Sequence, residues 1–149
     1  MKDLRTIISE IFGPGAARQA AAPDFSTPEG AVRALEAAYI REDLAAAVAA
    51  KDFVTEARLM LENLSPSCAT EDAVAEAAEV LELAFRAEME KEGFPDFLGA
   101  TCTFLEREDV SPRLVRLTEE CAFSDGEKVV RDVYAAKGPN GWRVVNVPG

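Results

Sequence analysis

Apolar residues change their spacing once along this chain, near Pro95. Before it they recur every three or four positions, the period of a helix with one face in a core. After it they alternate, the period of a strand. Leu4, Ile7, Ile8 and Ile11 predict a short amphipathic helix over residues 2–12, broken by Gly13-Pro14-Gly15. The Ala-rich stretch up to Pro23 reads as an arm or linker. STPEGAVRALEAAYI then opens a longer helix. Ser26 and Glu29 have capping-box spacing, Pro28 suits the first turn, and Val32, Leu35 and Tyr39 share a face. Asp43 and Asp52 are placed to cap two more helices, the second with Phe53, Ala57, Met60 and Leu64 as its inward stripe. Thr70 caps the longest helix, Glu71 to about Glu92, with Val74, Ala78, Leu81, Phe85 and Met89 inward and Gly93 ending it.

Beyond Pro95, ATCTFLER, RLVRLTEECAF, KVVRDVYAAK and WRVVNV read as four strands. Short turns join them, so neighbours run antiparallel. Helices followed by a meander predict an α+β fold, its N-terminal helices packed on one face of a curved antiparallel sheet of about four strands. The expected division is an arm over 1–25 and one domain over 26–149.

Composition narrows the function. With 149 residues, 48% hydrophobic and 29% charged, the chain is long enough for one sizeable core. No apolar run approaches the roughly 18 residues of a membrane span. The net charge of −11 disfavours nucleic acid and anionic membranes and suits a basic protein partner. Histidine is absent, which removes the commonest general base, every Ser-His or Cys-His pair and most catalytic zinc sites. Cys68, Cys102 and Cys121 are odd in number and lack metal-site spacing, so free thiols in a reducing cytoplasm are expected. GPGAAR lacks the residues of a phosphate loop, and the acids match no calcium loop. No metal and no cofactor are therefore expected.

Two stretches, STPEGAVRALEAAYIREDLAAAVAAKDF and GWRVVNV, resemble the opening helices and the terminal strand of the nuclear transport factor 2-like superfamily. That superfamily is an α+β cone, seen also in ketosteroid isomerases and polyketide cyclases. The resemblance covers roughly Ser26 to Val147. AVAAKDFVTEARLML followed by a long acidic helix is similar to the branch of toxin-immunity proteins. It implies a non-catalytic bacterial protein that occludes a toxin by direct binding. The alternative it implies is a small cone-pocket enzyme, an isomerase, cyclase or dehydratase.

Each reading has candidate residues. For the enzyme, the Asp125-Gly126 pair predicts a two-residue hairpin turn. It would set Cys121 opposite Val130, Leu117 opposite Tyr134 and Glu119 opposite Asp132, gathering Glu119, Asp132 and Tyr134 on the covered face. Two opposed carboxylates cannot both ionise cheaply, so one would act as an acid beside the tyrosine. A slip of one residue would instead pair Glu119 with Arg131 and turn Val129 and Val133 inward. Exposure to water, or pairing with Arg58 or Arg86, would leave these acids without a catalytic role. For the binding reading, Glu76 and Glu79 on the long helix are the acids expected to meet a basic partner. The arm's apolar stripe is expected to dock on its own domain or on a second copy, making a homodimer.

Overall fold

The structure is a computed structural model that describes residues 22–148, so the helix expected over residues 2–12 lies outside the described residues. Four α-helices come first: α1 (Pro28–Arg41), α2 (Leu44–Ala49), α3 (Phe53–Leu64) and α4 (Glu71–Glu92). Four strands follow: β1 (Thr101–Ser111), β2 (Leu114–Ala122), β3 (Lys128–Gly138) and β4 (Gly141–Val145). They form one antiparallel meander in the order β1-β2-β3-β4, curved and unclosed, which makes the fold α+β.

Each helix starts on a side-chain oxygen that accepts from the amide three residues on: Thr27, Asp43, Asp52 and Thr70. The first of these corrects the capping box expected at Ser26, whose hydroxyl and amide are committed to Asp24 instead. In α4 the inward stripe of Val74, Ala78, Phe85 and Met89 is buried. In α3 the stripe stops early. Phe53 and Ala57 are buried with Glu56, while Met60 and Leu64 are exposed.

Register decides the faces of the sheet. The turn after β1 is the two-residue Pro112-Arg113, and two bulges at Leu105 and Val110 shift the pairing until Cys102 lies opposite Cys121. Between β2 and β3 the two-residue turn expected at Asp125-Gly126 does not form. Phe123 and Glu127 bracket a three-residue loop instead, with the Phe123 amide donating to the Glu127 carbonyl at 2.8 Å and the Gly126 amide to the Phe123 carbonyl at 2.9 Å. A type I′ turn needs positive φ at both central residues, and here only Gly126 has it, at 91°. Asp125 keeps its ordinary backbone and caps the Glu127 amide at 2.9 Å. The extra loop residue slips the pairing by one, giving Leu117↔Val133, Glu119↔Arg131 and Thr118↔Asp132.

The last strand lies against the helical layer rather than at an open edge. Its free side bonds to the segment just before α1 through the Trp142 amide and Phe25 carbonyl, 2.8 Å. It also bonds to the α2–α3 link through Val144 with Ala50 and Asp52, 2.9 and 3.0 Å. Covering the edge this way removes a template for pairing with other chains. Gly141 permits the approach, since a Cβ there would sit 2.4 Å from the Phe25 carbonyl oxygen. Between the layers Val32, Leu35, Phe85, Val115, Leu117 and Val144 form the middle of the core.

The observed register predicts which β-sheet truncations matter. Leu117 is fully buried, whereas Val130 is 57% exposed. Leu117→Ala should therefore lose about 2–5 kcal/mol, and Val130→Ala should stay within about 0.5 kcal/mol of wild type. Denaturant midpoints check this, and a large loss at Val130 would restore the two-residue turn.

Candidate functional site

Alternation along β2 places a carboxylate, Glu119, at an inward position with no exposed surface at all, and the slip sets Arg131 rather than Asp132 opposite it. A charge in that position must be paired. Two guanidinium groups do so. Arg33 of α1 donates to Glu119 Oε2 at 2.6 Å, and Arg131, directly across on β3, donates to Oε1 at 3.2 Å. Arg33 also donates to Glu36 Oε1 at 2.7 Å, one turn further along α1, and to the Cys102 carbonyl at 2.8 Å. Stacking steadies both cations, Arg33 on Phe104 at 4.1 Å and Arg131 on Phe97 at 5.2 Å. Each remains about 40% exposed, so the cluster reaches solvent on its cationic side.

Glu36 is the unbalanced member. Its side chain is 9% exposed, its Oε2 accepts no hydrogen bond, and Arg131 stands 3.6 Å from that oxygen. Loss of water pushes its carboxyl up to about 8, and the neighbouring Glu119 carboxylate adds to the rise; Arg33 opposes it. Cys102 and Cys121 lie alongside, joined as a cross-strand disulfide with their Cα atoms 4.0 Å apart. A carboxylate oxygen of Glu36, one of Glu119 and the two sulfurs all fall within 4.8 Å of one another.

The expected catalytic trio is not assembled. Glu119 is inside, but Asp132 and Tyr134 belong to the opposite face of the sheet, because one residue of slip inverts every side chain of β3. There Asp132 is half exposed and pairs with Arg116 at 3.1 Å and with the Thr118 hydroxyl at 2.9 Å. The partners foreseen for these acids also differ: Arg86 pairs with Glu82, and the cations that matter are Arg33, Arg131 and Arg116. Glu36 was overlooked in the sequence although it carries a readable sign. It follows Val32 by four positions and precedes Tyr39 by three, so it shares their inward face.

The expectation of three free thiols is corrected as well. Directly opposed cysteines have the reach of a disulfide, and only Cys68 is free. The reducing compartment inferred from free thiols loses that footing. Among the described residues no helix is long and apolar enough to cross a membrane.

A second feature lies elsewhere, a groove of about 760 Å³ between the start of α3, the middle of α4 and the β3–β4 turn. Phe53, Val54 and Leu83 give it apolar walls, with Glu79 and Glu82 among its lining acids. Val54 and Leu83 are exposed large apolar residues. Of the two acids expected to meet a partner, both are exposed on α4, but only Glu79 lines the groove.

Comparison with known proteins yields nothing: no protein-family model, no curated protein and no solved structure matches the chain.

Two measurements test this site. Folded Glu36 retains its proton to about pH 8, whereas the unfolded chain releases it near 4.5. Each rise in pH across that window then favours the unfolded chain, so this stabilisation is complete below 4.5 and lost above 8. Melting curves of wild type should fall more steeply between about pH 4.5 and 8 than those of Glu36→Gln, and parallel curves would refute the assignment. Separately, thiol titration of denatured, unreduced protein should find one reactive cysteine, Cys68, and three after reduction. Three before reduction would show the pair unbonded.

Proposed function

We propose that the chain is a non-catalytic protein-binding domain that seats a basic partner in the groove beside α4. One observation carries this reading: exposed apolar walls at Val54 and Leu83 combined with acids at Glu79 and Glu82. Of these acids, Glu82 is partly neutralised by Arg86, and Glu79 has no ion-pair partner among the described residues. A cationic segment with an apolar side would gain affinity from burying its apolar atoms and speed from the charge. The whole-chain charge of −11 acts in the same direction at long range. Occlusion of a bacterial toxin domain, the immunity role implied by the resemblance in the sequence, is the form of such binding that we favour. We favour this over the enzyme alternative because the register sets Asp132 and Tyr134 on the sheet face opposite Glu119.

The test pairs capture with kinetics. A basic protein recovered on the wild-type chain from native lysate should associate about tenfold or more slowly with the Glu76→Lys/Glu79→Lys double variant at low salt. The difference should shrink as ionic strength rises, because salt screens exposed charges. Asp132→Asn should bind like wild type. Equal rates for the double variant, or binding abolished by Asp132→Asn, would reject the groove as the interface.

A further inference from the structure

We propose that reduction of the Cys102–Cys121 disulfide opens a divalent-metal site, with two thiolates and the carboxylates of Glu36 and Glu119 as its four ligands. The donor atoms already converge, all within 4.8 Å of one another. Glu36 supplies the sign that this convergence has a ligand in view. Its Oε2 is buried with no hydrogen bond, and one oxygen of the same carboxyl lies within 4.8 Å of the two sulfurs and the second carboxylate. A buried acceptor left that way is costly, and a cation would satisfy it.

Charge balance supports a dication. Once Glu36 gives up its proton to ligate, Glu36 and Glu119 face Arg33 and Arg131, two negative groups against two positive ones. Opening the disulfide to two thiolates adds two negative charges, which one dication offsets. Arg33 and Arg131 would remain on the ligating carboxylates as the outer groups that orient them, and Arg33 already fixes the Cys102 backbone through its carbonyl. Two thiolates with two carboxylates suit zinc, which takes both donor types in a tetrahedron. Zn–S bonds of about 2.3 Å set the sulfurs about 3.8 Å apart in that geometry, a separation open to facing side chains by rotation at Cα–Cβ.

The steps balance. A dithiol gives two electrons and two protons to the Cys102–Cys121 bond and becomes a disulfide itself. The two thiols and the Glu36 carboxyl then release three protons to solvent as the metal binds. Access exists from outside, because Cys102 is only partly buried and, with Arg33 and Glu36, lines a cavity of about 290 Å³.

The experiment uses the full chain carrying Cys68→Ser, reduced with dithiothreitol, freed of it under nitrogen and titrated with cadmium. One equivalent should bind with thiolate-to-metal absorption in the reduced protein and none in the oxidised protein. Glu36→Gln should weaken binding about tenfold or more, while its oxidised form keeps the circular dichroism spectrum of wild type. Should reduction alone unfold the chain, cadmium must restore the native spectrum, since metal binding and folding are then one equilibrium. Absence of the absorption band overturns the proposal. So does failure to refold, or equal affinity in Glu36→Gln and Glu119→Gln.

Discussion

Glu119 is a carboxylate placed where water does not reach, and its partners come from two other elements. Arg33 arrives from α1 and Arg131 from β3, at 2.6 and 3.2 Å. Removing either would leave a buried charge short of a partner, a far larger penalty than the net gain of forming the pair. This requirement therefore constrains geometry more than it adds stability. It sets the rotation of α1, holds β3 in one register and, through the bond from Arg33 to the Cys102 carbonyl, ties in β1. The competing register would oppose Glu119 to Asp132 inside the fold, two like charges without water.

A second buried pair does similar work nearer the groove. Lys51 and Glu56 meet at 3.4 Å, both nearly without exposure, and Glu56 also accepts from the Asn146 amide at 2.9 Å. Lys51 rests over the rings of Phe53 and Phe85, 5.0 and 4.8 Å away. The α2–α3 link, α4 and the end of β4 are thus fastened by one polar knot beneath the groove. The groove and the Glu36–Glu119 cluster use different elements, so a partner seated on α4 leaves the cysteine pair open to reductant through its own cavity.

Much of the architecture was legible in the residue order. The change of period near Pro95 separated helices from strands, and Asp43, Asp52 and Thr70 marked three helix starts by a mechanism that is local. Alternation placed Val115, Leu117, Glu119 and Cys121 on the covered face of β2. These features depend on neighbours a few residues apart, and periodicity encodes them directly.

Which face β3 turns inward depended on something else. Asp-Gly is compatible with a two- or a three-residue loop, and the two differ by a single residue of register, which inverts Asp132, Tyr134 and Val130 together. The choice rests with Arg131 across the strand, whose cation answers the buried Glu119 where Asp132 would repel it. The burial of Glu36, the bonded cysteines and the groove walls follow in the same way from how the layers meet. A side chain's position along its own helix or strand is set by local period. Which charge it finds opposite is set only when distant segments pack.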